Sequence, residues 1–403
     1  MSKRYSSPFK TCNADSMSIK PRIRPVLNHL QPQGISDISE YGAQFDDVIP
    51  MWFGESDLVT PEPPRRALIE SLESGATFYQ AQNGHPALRD KIAEYDTRLH
   101  DRPVVANRIT VTASGMTALH VALQTIVDAG ENIVLVTPIW PNAPAAVQIM
   151  GAEPRRVSLL SQPNGRWQLD LDRLFDACDG KTRAIFVNSP NNPTGWMCSQ
   201  NEQQAILDFA REHGIWVIAD EVYHRITYDR ETAPSFLDLA EPEDPVLALN
   251  SFSKSWAMTG WRLGWLTAPP SIYDNLGLMV QYTNSNSPEF IQAAGIAAID
   301  QCEDFVETFR GYCAAGRAVV DEVLGQANRV RIAEPEAAFY AFFEVEGEPD
   351  SMALAKRLVR EARVGVAPGM SFGEESEGWL RLCFAQEPEL LRTGLLRMAD
   401  ALR

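Results

Sequence analysis

The sequence predicts an α/β protein, with a mainly parallel sheet covered by helices on both faces and a smaller α+β domain after it. From about Pro61, short apolar runs alternate with stretches of helical periodicity, the pattern of strands buried on both faces and joined by crossover helices. Turn signals fall at the ends of those runs, where such a sheet carries its loops. After about Glu289 the order changes to a long helical stretch, short strands and a final helix. With 403 residues, 45% of them hydrophobic, the chain is long enough to form both bodies.

Residues 1 to about 48 are polar and broken by prolines, as an N-terminal arm is. Strands are predicted at Ile133 to Thr137, Ala184 to Asn188, Trp216 to Ala219 and Val246 to Asn250. Helices are predicted at Met116 to Asp128, opening after Ser114-Gly115, and at Gln200 to His213, closed by Gly214. The smaller domain carries strands at Phe339 to Glu344 and Trp379 to Phe384, then a helix from Glu387. This places an arm at 1–48, a large domain at 49–290 and a small domain at 291–403, the last joined by part of the N-terminal segment. No internal repeat is present, which excludes a solenoid.

A formal charge of -17 repels phosphodiester backbones and anionic membrane surfaces, so nucleic acid and membrane are not expected partners. No apolar run reaches the roughly 20 residues that span a bilayer, and Met1 to Ser18 lacks the apolar stretch of a signal peptide. The expected location is the cytoplasm. The six cysteines (Cys12, Cys178, Cys198, Cys302, Cys313, Cys383) are scattered, without CxxC or zinc-type spacing, and read as reduced thiols.

Chemistry concentrates in Ser251-Phe252-Ser253-Lys254-Ser255-Trp256-Ala257-Met258-Thr259-Gly260-Trp261-Arg262, directly after an apolar run. A lysine among small hydroxyl residues, with an arginine eight positions on, suits an amine nucleophile beside a bound phosphate. An amine desolvated near another cation loses proton affinity and attacks carbonyls. Most lysines are solvated surface residues, a poor fit to a segment rich in Trp256, Trp261 and Trp265.

Other strand ends add to this. In Asn188-Ser189-Pro190-Asn191-Asn192-Pro193-Thr194-Gly195 the prolines and glycine fix a turn, so the Asn192 amide is aimed with little entropy loss; alone, the segment reads as an ordinary turn. Asp220, in Ala219-Asp220-Glu221-Val222-Tyr223, suits a cationic ring nitrogen or an exposed strand end. The Ser114-Gly115-Met116 turn into a helix offers free N–H groups to a phosphate, and is equally good as an N-cap. Trp140, in Pro138-Ile139-Trp140-Pro141-Asn142, can cover a planar ring or pack in the core. Arg381, in Gly378-Trp379-Leu380-Arg381-Leu382-Cys383-Phe384, offers a rigid fork to a carboxylate or sits on an edge strand.

Taken in order, these segments closely resemble the class I/II aminotransferases of fold type I, the aspartate aminotransferase superfamily, from about Ile35 to the C-terminus. The resemblance implies a seven-stranded large domain, a smaller α+β domain and pyridoxal 5'-phosphate as cofactor. It implies that Lys254 holds the cofactor as a Schiff base and shuttles the proton between substrate and cofactor. Ser251, Ser253 and Arg262 would hold the phosphate with the backbone of Ser114, Gly115 and Met116. Asn192 and Tyr223 would bond the phenolic oxygen, Asp220 would keep the pyridine nitrogen protonated, and Trp140 would stack on the ring. Arg381 would grip the substrate carboxylate, bordered by Asn192, and Gly54 would let backbone approach the substrate. Tyr79 resembles the tyrosine that reaches the phosphate of the neighbouring protomer, which implies a homodimer with shared sites. Pro368-Gly369-Met370-Ser371-Phe372-Gly373 is a further family-like turn.

The implied reaction is ping-pong transamination between an L-amino acid and a 2-oxo acid. The main rival is a C–S β-lyase, because Ile49-Pro50-Met51-Trp52 resembles the opening of the cystathionine-lyase-like relatives, and fold alone does not choose the reaction. A third reading, an aminotransferase-like effector domain of a regulator, requires a DNA-binding module that some 48 acidic-chain residues leave no room for. Met116 stands where prokaryotic aspartate enzymes of this look often carry a lysine that pairs with the second carboxylate. A thioether offers no charge, so neutral donors are expected ahead of aspartate, unless Arg22 or Arg24 replaces that cation. In Pro335-Glu336-Ala337-Ala338-Phe339-Tyr340, Ala337 stands where the family usually has Gly.

Overall fold

The computed structural model describes residues 22–28, 30, 34–162, 165–332 and 334–403. Met1 to Ser18 and Cys12 lie outside the described residues. Residues 1–31 form one unit, whose described part holds a single 3-10 turn, Pro25–Asn28, with Arg22 and Arg24 exposed. Residues 32–403 form the other.

Seven strands build the large sheet: β1 (Ile109–Thr112), β2 (Asn132–Thr137), β3 (Glu153–Ser158), β4 (Thr182–Asn188), β5 (Trp216–Asp220), β6 (Val246–Ser251) and β7 (Gly264–Thr267). Their order is β1-β7-β6-β5-β4-β2-β3, and β7 alone runs antiparallel, to β1 and β6. Alternation along β2 splits the core: Ile133 and Leu135 pack with Phe186 and Ile218, whereas Val134 and Val136 pack with Ile185 and Val217. Both faces are therefore buried, as a sheet with crossover helices requires. Helix Gly115–Ile126 covers the first face through Leu119 and Ala122, and helix Gln200–His213 covers the second through Ile206 and Leu207. The latter opens with a Ser199–Glu202 capping box and ends on Gly214 in the left-handed conformation.

Four strands form a second sheet, in which every pairing is antiparallel: β8 (Val330–Ile332), β9 (Tyr340–Val345), β10 (Ala367–Pro368) and β11 (Trp379–Cys383), in the order β8-β9-β11-β10. Its core includes Ile35 and Ile38 of helix Gly34–Gly42, together with Met51 and Trp52. The segment drawn as arm up to residue 48 thus contains a packed helix, because two isoleucines three residues apart share one face. The helical run after Glu289 divides into Glu289–Gln301 and Glu303–Val323; the first packs with Leu88, Ile109 and Trp265 on the large-sheet side.

Residues 51–57 are anchored by Gly365, by Cys383 of β11 and by Tyr312 of helix Glu303–Val323. Met51 N–H donates to Gly365 O at 2.7 Å, Cys383 N–H donates to Met51 O at 2.9 Å, and Asp57 accepts from Tyr312 Oη at 2.8 Å. Among the described residues no helix is long and apolar enough to cross a membrane, and the five cysteines are free thiols.

Candidate active site

A cavity of about 350 Å³ lies at the carboxyl ends of β4, β5 and β6, where loops of an open α/β sheet gather chemistry. Gly54, Gly115, Met116, Trp140, Asn192, Asp220, Tyr223, Ser251, Ser253, Lys254, Arg262 and Arg381 all line it. Ser114 sits just behind the wall as the N-cap of its helix, accepting from Thr117 N–H at 2.9 Å. Tyr79 lies outside the cavity and is 88% exposed.

The wall nearest β6 follows from a tight junction. A Cβ on Gly264 of β7 would lie 2.6 Å from Gly115 N, so only glycine lets the Ser114-Gly115 turn rest on that strand. Ser251 Oγ donates to Ser253 Oγ at 2.9 Å, and Arg262, left-handed at φ 54°, donates from Nη1 to Thr259 O at 2.6 Å. These hydroxyls, the first N–H groups of the helix and the guanidinium form a cradle for a phosphate.

Lys254 is half-buried, and its Nζ donates to Gly54 O at 2.7 Å. Desolvation is the main cause that lowers its pKa from 10.5 to about 8, with Arg381 and Arg262 adding to it and Cys383 and Glu55 opposing. Asp220, 8% exposed, is raised from 3.8 to about 6 by desolvation, against a Val222 N–H 3.4 Å away and the nearby Lys254 charge. Among the described residues its carboxylate makes no ion pair, and Lys254 is the charge that acts on it. Asn188 fixes the next loop: Nδ2 donates to Asp220 O at 3.1 Å and Oδ1 accepts from Asn192 N–H at 2.8 Å. Asn192 Nδ2 then lies 3.4 Å from Tyr223 Oη. Arg381, 2% exposed on β11, donates from Nη1 to Asn192 Oδ1 at 3.1 Å and from Nη2 to Trp52 O, while its buried Nε has no partner among the described residues.

The chain matches the family described as aminotransferase class I and II over residues 48–397. It belongs to that family. An aspartate aminotransferase of Pyrococcus horikoshii is 30% identical over 371 residues, 91% of this chain and 94% of the relative. An aromatic-amino-acid aminotransferase of Thermococcus litoralis is 29% identical over 381 residues, 94% and 97% respectively. The solved structure of Thermus thermophilus aspartate aminotransferase with maleate superposes with a TM-score of 0.87 at 28% identity, covering 95% of this chain and 100% of that one. The chain is a pyridoxal-phosphate-dependent transaminase of fold type I, and the β-lyase and regulatory readings give way to that one.

The residues present fit the cofactor. A buried carboxylate with no ion pair among the described residues, a half-buried amine shifted toward its neutral form and a hydroxyl-lined cradle closed by Gly115 match its ring nitrogen, carbonyl and phosphate; a Cβ on Gly115 would reach 3.2 Å from Ser251 Cβ. Sequence reasoning missed several lining residues. Tyr340 ends the quoted Pro335-to-Tyr340 segment, and Asn188 and Asn142 stand in quoted strand-end segments, so position alone was a signal for them. Ile35 and Trp52 enter from distant chain and carried no such signal. Ala337 tolerates a side chain because the left-handed residue of its segment is Ala338, at φ 57°.

Proposed function

We propose that this transaminase moves an amino group between an L-amino acid, with neutral donors preferred to aspartate, and a 2-oxo acid by a ping-pong mechanism. The observation that supports it best is the convergence of a desolvated Lys254, an unpaired buried Asp220 and the Arg381 fork on one cavity.

When bound, pyridoxal phosphate supplies a carbonyl that condenses with amines and a ring that withdraws electrons from the substrate Cα. Lys254 Nζ would hold that carbonyl and would take up and give back the substrate Cα proton, work for which an amine near pKa 8 is well matched. Asp220 holds the proton of the ring nitrogen. Asn192 and Tyr223 would hold the phenolic oxygen, and Trp140 would cover the ring and exclude water. The backbone of Ser114, Gly115 and Met116, with Ser251, Ser253 and Arg262, holds the phosphate. Arg381 turns its unpartnered Nε and its fork to the substrate carboxylate, next to Asn192 and the Gly54 backbone.

The donor preference rests on Met116. It lines the cavity as an uncharged thioether, with Asn142 Nδ2 3.8 Å from its Sδ. An aspartate side chain there is desolvated without a cation, which costs ~2–5 kcal/mol, or roughly 30-fold to several thousandfold. Single-turnover absorbance changes with each amino acid in turn test this. Methionine, alanine, glutamine or aromatic donors should outrun aspartate by at least that lower factor, and an enzyme that prefers aspartate refutes the reading of Met116.

The same proposal includes a homodimer in which Tyr79 serves the neighbouring protomer's phosphate, in the cytoplasm. Phe78, Tyr79 and Tyr282 are 79%, 88% and 77% exposed, on segments joined by a Gln82–Gln281 hydrogen bond of 2.6 Å. An exposed aromatic group of this kind favours an interface. The two sheets, with separate cores, likewise support a large and a small domain, the small one with part of the N-terminal segment up to Trp52, while helix Glu289–Gln301, drawn into the small domain at 291–403, packs on the large-sheet side.

A further inference from the structure

We infer that Tyr340 is a positioning residue of the transamination site: its hydroxyl donates to Tyr223 Oη, which aims the Tyr223 proton into the cavity, while its ring supports Arg381. The inference rests on the reading of Tyr223 above and adds to it what holds that hydroxyl in place.

Tyr340 is fully buried at the start of β9, and its side chain lines the cavity. Its Oη lies 2.7 Å from Tyr223 Oη, and the two rings meet edge to face at 81°. Among the described residues Tyr223 is the hydrogen-bond partner of the Tyr340 hydroxyl. A tyrosine hydroxyl has one proton and two lone pairs. Tyr223 Oη receives Asn192 Nδ2–H at 3.4 Å, an amide that has only protons to give. If Tyr340 also donates, both lone pairs of Tyr223 are filled and its proton has one direction left, into the cavity. Burial pushes both hydroxyls up from the usual tyrosine value, so both keep the protons that this chain of donors needs.

The same ring lies under the Arg381 guanidinium at 4.6 Å, with Phe372 at 4.9 Å. One side chain thus touches the group proposed to orient the cofactor oxygen and the group proposed to grip the substrate. It also explains Gly54. A Cβ at that position would lie 2.2 Å from Tyr340 Oη and 3.1 Å from Cζ, so glycine keeps the hydroxyl's place while its own carbonyl accepts from Lys254.

The test is a double-mutant cycle read by pyridoxal phosphate binding to apoenzyme, with kcat and KM measured alongside. Tyr340→Phe keeps the ring, so KM for the donor should hold, while cofactor affinity and kcat fall about 2- to 12-fold, the effect of one neutral hydrogen bond. Tyr223→Phe should weaken cofactor binding, and adding Tyr340→Phe to it should cost no more. Gly54→Ala should weaken binding by pushing the hydroxyl away, and Tyr340→Phe in that background should restore part of the loss. Additive losses in the cycle, or wild-type cofactor affinity in Tyr340→Phe, overturn the role of Tyr340 alone. Unchanged affinity in Tyr223→Phe overturns the reading of Tyr223 and this inference with it.

Discussion

Replacing Asp220 by Asn should have opposite signs in the empty and loaded enzyme. Without cofactor, the ionised carboxylate is buried with one backbone N–H at 3.4 Å and a folded pKa of about 6 against 3.8 for the free side chain. The folded state therefore binds the extra proton between those two values, and stability falls as pH rises through that window. Below 3.8 the group contributes nothing; above about 6 its ionisation costs about 3 kcal/mol, from two pKa units at 1.36 kcal/mol each. Asn carries no such cost, so Asp220→Asn apoenzyme at pH 8 should melt about 3–4 °C above wild type, given ~2.1 cal/mol/K of unfolding entropy per residue. The difference should shrink toward pH 4. With cofactor the sign reverses. Breaking a buried charge pair costs ~3–5 kcal/mol, and kcat should fall roughly a hundredfold to a few thousandfold, with Asp220→Glu milder. Differential scanning fluorimetry of both forms from pH 4 to 8, with steady-state kinetics, checks this. An apoenzyme that Asn destabilises at pH 8, or near-normal turnover in the variant, refutes the assignment.

Covalent capture of pyridoxal phosphate by apoenzyme needs the neutral Lys254 amine, so its rate should climb with pH to a midpoint of about 8; at pH 7.5 that leaves ~200-fold more neutral amine than an ordinary lysine has. A midpoint near 10 contradicts the desolvation argument, and a borohydride-reduced adduct on any other residue moves the site. Tyr79→Ala and Lys254→Ala subunits, each nearly inactive alone, should regain up to about a quarter of wild-type activity when mixed, since a hybrid dimer holds one intact shared site. No recovery points to a self-contained site. Met116→Lys should raise kcat/KM for aspartate and lower it for the best neutral donor, and an unchanged ratio removes Met116 from the donor end of the pocket.

The legible parts of this site are those whose position follows from a strand end. Asn192, Asp220, Tyr223 and Lys254 each stand within four residues of the end of β4, β5 or β6, and local sequence sets both the strand and the turn after it. Two strands of the sheet are harder to see in the sequence. β3 reads Glu-Pro-Arg-Arg-Val-Ser with most positions accessible, an edge strand whose charges hide it from an apolar pattern. β7 is four residues long and pairs antiparallel, so no crossover helix announces it. Ile35, Trp52 and Tyr340 come from segments far in sequence from the strand-end loops they join, and only tertiary packing brings them in. Helix Gly34–Gly42 was hidden by the polar, proline-broken stretch before it.

The position of Arg381 shows why the cavity needs two sheets. It stands on β11, where its backbone pairs with Phe342 and Ala367, yet its fork bonds Asn192 beyond β4 and the Trp52 carbonyl of the connecting segment. A buried guanidinium is tolerated only where its protons are met, and here Nε is not. The same condition holds for the Asp220 carboxylate, raised to about 6, and the Lys254 amine, lowered to about 8, each by desolvation. Rigid strands and caps keep these three groups from relaxing toward water, so their unmet electrostatic demand is directed into one cavity. A carboxylate-bearing amine and a cationic ring meet all three at once, and neither ligand alone does. On the proposed reading, donor selection would fall to an uncharged part of the wall at Met116 and Leu119, where shape and polarizability rather than ion pairing would decide which side chain is accepted.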